Sequence, residues 1–158
     1  MANRKRSWIE GPQIPGENED PHSPGRWPGE KLGLPKTGPG SLASVMRRVG
    51  GIFIDQWICW ALAFIITRYT DFFGDIATTT WLLFPILGTL TGWLFARTPG
   101  QALFGMGIAR TDVPGTRVGF LRALARSVFT SFLFPPLIMD SDGRGLHDRA
   151  TGTSVILG

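Results

Sequence analysis

Two long apolar segments dominate the hydropathy pattern of this 158-residue chain. Residues 49–67 contain a single charged residue, Asp55, and residues 76–96 contain none. At about 1.5 Å per helical residue, each segment is long enough to cross a hydrocarbon core of about 30 Å. The pattern therefore predicts two transmembrane helices over these ranges.

A third segment, residues 119–139, begins amphipathic and then becomes apolar. Arg122 and Arg126 stand four residues apart and therefore share one face of a helix. The uncharged part that follows, residues 127–139, is too short for an upright crossing and contains two adjacent prolines, which end a helix. We expect an amphipathic or re-entrant helix that dips into the membrane, rather than a third crossing.

Both ends of the chain differ from this apolar part. Residues 1–46 hold seven of the twelve prolines and no long apolar run, which predicts an extended tail. Residues 140–158 are polar and rich in glycine until Thr153–Leu157, a short strand that we expect to pair with Met106–Thr111. The sequence thus predicts a tail followed by a mainly α-helical membrane domain over residues 47–158, with short β pairing on the cytoplasmic side.

The placement of charges predicts the orientation in the membrane. Arg47 and Arg48 precede the first span, and five further arginines lie between residues 97 and 126. The loop between the spans, residues 68–75, has one arginine against two aspartates. Because positive residues favour the cytoplasmic side, we expect the tail and the chain after the second span in the cytoplasm, and the loop outside. These arginines also account for the formal charge of +4 without a nucleic-acid partner.

The candidate site is a set of charged residues at the ends of these segments: Arg48, Asp55, Arg122, Arg126 and Asp148. A carboxylate within a span is costly, so we expect Asp55 to face a partner or a cavity. In a structural interpretation, the set is a buried charge cluster that holds the polar C-terminal segment against the spans. In the alternative, Asp55 is a proton or cation site, although nearby arginines would keep it ionised and occupied.

Two further sets of residues indicate helix packing or partner binding. Gly88 and Gly92 form a small-xxx-small pattern, which lets another helix approach closely, either the first span or a helix of another subunit. In the tail, the large side chains of Trp8, Ile14 and Trp27 are candidate anchors for a partner, although residues so scattered can also be incidental.

The sequence offers little material for catalysis or cofactor binding. One cysteine and two distant histidines do not make a metal centre. No nucleophile stands in a recognisable catalytic motif, and no glycine-rich phosphate loop occurs. We therefore expect a non-enzymatic protein without metal or small-molecule cofactor, whose partners are the lipid bilayer and other integral membrane subunits, and not nucleic acid.

Three stretches share their order and spacing with a known pattern: Arg48-Val-Gly-Gly-Ile-Phe-Ile-Asp55; Arg97-Thr-Pro-Gly-Gln-Ala-Leu-Phe-Gly-Met followed by Gly119-Phe-Leu-Arg122-Ala-Leu-Ala-Arg126; and Gly145-Leu-His-Asp148-Arg-Ala-Thr-Gly-Thr-Ser-Val-Ile. Together they resemble the RDD family of small bacterial membrane proteins, over residues 44–157. The family is named for one Arg and two Asp, which match Arg48, Asp55 and Asp148. Gln101 departs from the pattern, since the family often has Lys there, so a cation at that position is not implied.

The resemblance implies a fold more than an activity, because most of the family is uncharacterised and transport of ions or solutes has been suggested for some members. We favour a non-enzymatic accessory or assembly subunit of a larger bacterial plasma-membrane complex, because the chain is small, has the Gly88–Gly92 face and carries a long tail. A respiratory complex is favoured only because large assemblies in bacterial plasma membranes are often respiratory. The alternative is a small homo-oligomeric transporter that uses Asp55. A weaker third hypothesis is a membrane adaptor that recruits a soluble protein through the prolines of the tail.

Overall fold

A computed structural model describes residues 25–113, 115–132 and 143–158. The protein is mostly helical, with a small sheet of two strands. In chain order, the described residues form a 3-10 turn (Glu30–Leu32), α1 (Val45–Thr67), α2 (Ile76–Phe95), α3 (Pro99–Leu103), β1 (Met106–Arg110), α4 (Phe120–Ser131), α5 (Leu146–Thr151) and β2 (Thr153–Leu157). Both predicted long helices are therefore present.

Helix α1 is the helix that best suits a membrane. It begins after Ser44, whose side chain accepts a hydrogen bond from the backbone N–H of Arg47 and so caps the helix. Its buried residues recur every fourth position, at Gly51, Asp55, Cys59 and Ala63, and form a narrow stripe of mostly small side chains against the rest of the protein. Among the described residues, α1 alone has both the length and the apolar composition to cross a membrane.

Helix α2 packs against α1 and runs antiparallel to it. Asp75 caps its start by accepting a hydrogen bond from the backbone N–H of Thr78, and Ala96 ends it in a left-handed conformation. Five of its twenty residues are threonines. Helix α1 is therefore a candidate membrane span by its length and composition, whereas the crossing of the membrane by α1 and α2 stays a prediction.

Helix α4 covers the glycine face of α2. A Cβ atom added to Gly88 would lie 2.8 Å from the hydroxyl oxygen of Ser127, and one added to Gly92 would touch Ala123. The small-xxx-small face therefore receives α4, and neither the first span nor an external helix is needed to fill it. The helix occupies the first part of the predicted amphipathic segment 119–139. Residues 133–142, which decide whether that segment dips or crosses, lie outside the described residues.

The predicted strand pairing is confirmed. Strands β1 and β2 run antiparallel, with Met106 opposite Leu157. The end of the predicted tail joins this sheet, because the backbone N–H of Ala43 donates to Val155 (2.9 Å) and that of Leu157 donates to Ser41 (2.9 Å). Residues 40–43 therefore contact the folded domain, and the boundary at residue 46 stays a prediction.

Candidate functional site

Asp55 joins α1 to the start of α3. Its buried carboxylate accepts a hydrogen bond from the hydroxyl of Thr98 (2.5 Å) and another from the backbone N–H of Gly100 (2.7 Å). Thr98 also caps α3, with the side chain of Gln101 reaching back to the backbone N–H of Thr98 (3.0 Å). Each oxygen of Asp55 therefore has a donor, and the carboxylate fixes the short helix α3 against α1.

The close approach of α1 and α3 requires glycine at position 100. A Cβ atom at Gly100 would overlap the backbone carbonyl oxygen of Gly51 and lie 3.0 Å from the carboxyl carbon of Asp55. The sequence interpretation missed Thr98 and Gly100 as partners of Asp55. Thr98-Pro-Gly-Gln101 is a recognisable capping box, and it could have marked a helix start that attracts a carboxylate.

A second cluster surrounds Asp148, which is fully buried at the start of α5. Its carboxylate forms an ion pair with Arg126 of α4 and lies 4.0 Å from the Nη1 atom of Arg48 in α1. Thr153 donates to the same carboxylate (3.3 Å), while Arg48 donates to the carbonyl oxygen of Gly143 (3.0 Å). Asp148 thereby links three helices that are distant in sequence.

The two arginines of this cluster are both almost fully buried. Their side chains keep only about a tenth of their exposure, 10% for Arg48 and 8% for Arg126. Burial and the neighbouring charge of Arg48 lower the pKa of Arg126 to about 9, so this guanidinium stays protonated at neutral pH. Within the described residues, Nε and Nη2 of Arg48 and one oxygen of Asp148 have no hydrogen-bond partner.

A cavity of about 50 Å³ lies between α1, α2 and α4, and both clusters border it. Its polar lining includes Arg48, Asp55 and Arg126, and the volume is large enough for water. Within the described parts of the chain, no three His, Cys, Asp or Glu side chains converge as a metal site. The arrangement is suited to holding helices together through charge and hydrogen bonding.

The predicted five-residue charge cluster is thus divided. Arg48, Arg126 and Asp148 come together as expected, whereas Asp55 is bound by α3 rather than by an arginine. Arg122 lies one turn before Arg126. It pairs with Asp112 of the β1–α4 connection (2.8 Å) and donates to the carbonyl oxygen of Thr151 at the end of α5 (3.2 Å). Hydrogen bonds from Arg110 and from Arg122 hold the pKa of Asp112 well below its usual range.

Of the three proposed tail anchors, the structure describes Trp27. Its indole N–H donates to the carbonyl oxygen of Leu34 (3.1 Å), and the guanidinium of Arg26 lies 5.2 Å from the ring centre. Trp27 therefore contacts its own segment of the chain. Trp8 and Ile14 lie outside the described residues.

The outer face of α1 carries a row of four aromatic side chains: Phe53, Trp57, Trp60 and Phe64. Successive ring centres are 6.2, 5.6 and 5.9 Å apart, so the rings contact one another along the helix. All four are exposed, from 60% at Phe53 to 41% at Phe64. A large apolar surface of this kind marks contact with lipid or with another protein.

No protein-family model, curated protein or solved structure matches this chain. The resemblance to the RDD family therefore stays a prediction that rests on the three stretches of sequence.

Proposed function

We propose that this chain is a non-enzymatic, integral-membrane accessory or assembly subunit of a larger bacterial plasma-membrane complex, and that it belongs to the RDD family. Helices α1 and α2 cross the membrane as a hairpin, with the loop of residues 68–75 outside. The sheet, α3 and α5 lie at the cytoplasmic face with the tail. A respiratory complex is the favoured class, on the base rate of large assemblies in bacterial plasma membranes.

The observation that carries this proposal is the exposed aromatic row of α1. Four contacting rings on one helix give a rigid apolar surface, and aromatic residues are enriched where proteins contact one another. Further apolar side chains of α2 are exposed as well, among them Ile86 (53%) and Leu94 (55%). In a bilayer, such surfaces can bind both lipid and the helices of other subunits.

The polar groups support the same proposal because they are used inside the chain. Both oxygens of Asp55 accept hydrogen bonds, one from Thr98 and one from Gly100. A transport site needs a carboxylate that is free to exchange its proton or ion, so these contacts weigh against the transporter alternative. Asp148 is likewise engaged, by Arg126. Both carboxylates are therefore best suited to holding segments of this chain together.

The test is purification of the tagged, full-length protein from its own host in a mild detergent, followed by mass spectrometry. We expect stoichiometric recovery of a complex with several subunits. A variant with Trp8→Ala and Ile14→Ala should lose that complex, whereas Trp27→Ala should keep it, because Trp27 contacts its own segment. Substitution is preferable to deleting residues 1–46, because residues 40–43 form backbone hydrogen bonds with β2. Recovery of the protein alone, or only with copies of itself, would overturn the proposal.

A further inference from the structure

Gln56 is a polar residue in an unfavourable place. It lies at the centre of α1, on the exposed side of the helix, beside Trp57 and Trp60. Its amide makes no hydrogen bond with any residue in the ranges that the structure describes. If α1 crosses the membrane, as the proposed function requires, this amide faces hydrocarbon, where an unpaired polar group is costly. A lipid tail cannot supply the missing partner, but another polar side chain can.

The residues around Gln56 form a seam suited to a second helix. Val49, Phe53, Gln56 and Trp60 follow one another at spacings of four, three and four residues, which is the heptad pattern of helices that pack side by side. Val49, Phe53 and Trp60 are exposed along this line (39%, 60% and 46%). A surface depression of about 250 Å³, lined by Gln56, Trp57 and Trp60, lies beside it and can receive a ring from a partner.

Symmetry indicates which partner fits. Two copies of this chain insert in the same orientation, so their α1 helices would pack in parallel and in register. In such a pair, equivalent positions of the seam face each other, and Gln56 meets Gln56. A primary amide both donates and accepts hydrogen bonds, so two of them satisfy one another across the interface.

We propose that this protein forms a homodimer through the α1 seam of Val49, Phe53, Gln56 and Trp60, with the paired Gln56 amides at its centre. The inference rests on the proposed crossing of the membrane by α1. It does not depend on the identity of the larger complex, which the dimer would join as a pair.

Cysteine crosslinking in native membranes tests the seam. The single cysteine, Cys59, is buried and is first replaced by alanine. Gln56→Cys is then compared with Leu62→Cys, a matched control that is also exposed (40%) but lies on the other side of α1. A disulfide needs Cα atoms within about 7 Å. Oxidation should therefore link Gln56→Cys into a product of twice the mass, and Leu62→Cys should stay monomeric.

The amide itself is tested by energy transfer between labelled copies of the full-length chain in lipid vesicles. Gln56→Leu should weaken the dimer by about 3- to 30-fold, the range expected for one interhelical hydrogen bond. Gln56→Asn, which keeps an amide, should restore much of the association. Equal crosslinking at positions 56 and 62, a crosslink from position 56 to a different protein, or undiminished association of Gln56→Leu would overturn the homodimer.

A separate readout distinguishes failure of the dimer from failure of the proposed membrane crossing. Alkaline carbonate releases peripheral proteins from membranes, so every variant should remain in the washed membrane fraction. Retention without crosslinking would refute only the dimer, whereas release of the unmodified protein would overturn the crossing and the inference with it.

Discussion

Replacing Asp148 by asparagine removes one negative charge from the most deeply buried ion pair of the structure. Asp148 is fully buried, and the side chains of its partners, Arg48 and Arg126, are only 10% and 8% exposed. Because these three side chains are buried, the magnitude known for buried ion pairs applies, rather than the smaller one for surface pairs. Leaving two buried guanidinium groups without a carboxylate should destabilise the protein by about 3–5 kcal/mol.

The free energy of unfolding can be measured by titrating the detergent-solubilised protein with a denaturing detergent and following the fluorescence of its six tryptophans. Asp71→Asn is the matched control, since Asp71 is exposed in the loop between α1 and α2, and its replacement should leave the midpoint unchanged. The free energy of unfolding of Asp148→Asn could instead lie within about 1 kcal/mol of that of the unmodified protein, as expected for an exposed ion pair. In that case the cluster does not hold the helices together.

The α3 contacts and the surface ion pairs can be tested with the same unfolding titration. Gly100→Ala should destabilise the protein by about 3 kcal/mol, because the added methyl group overlaps a backbone carbonyl of α1; unchanged stability in the same titration would contradict the close approach. Thr98→Val should cost about 1.5–3 kcal/mol by removing a hydrogen bond to the Asp55 carboxylate, while Thr37→Val, in an exposed turn, should be neutral. The lowered pKa of Asp112 means that its ion pairs stabilise the fold above the ordinary carboxyl pKa of about 4 and that this stabilisation is lost as the pH falls through the folded-state value. The free energies of unfolding of Asp112→Asn and of the unmodified protein should therefore differ at pH 7 and become equal in acid. A difference that stays constant with pH would refute this prediction.

Much of the secondary structure could be predicted from local pattern. The segment predicted over residues 49–67 begins at Val45, because Ser44 supplies a capping hydroxyl that hydropathy does not register. Strand β2 occupies the predicted residues, Thr153–Leu157, since β-branched residues after a glycine turn favour a strand. These elements are determined by short stretches of chain.

The partners of the charged residues were harder to predict. Spacing places Arg48 and Asp55 on one face of α1, but it does not reveal which loop returns to that face. The carboxylate of Asp55 meets α3, and only the three-dimensional return of the chain brings Thr98 to it. In the same way, the glycine face of α2 is filled by α4 because Ser127 presents a small side chain there, a match that exists only across the fold.

In the proposed topology, α1 and α2 cross the membrane as a hairpin, and both charge clusters lie on the cytoplasmic side. Single cysteines introduced into a Cys59→Ala background test it directly, with a maleimide reagent that does not cross membranes. In cells whose plasma membrane is intact and accessible, Phe72→Cys in the loop should react, while Lys36→Cys and Arg117→Cys should react only after permeabilisation. Reaction of all three positions on the same side of the membrane would contradict the claim.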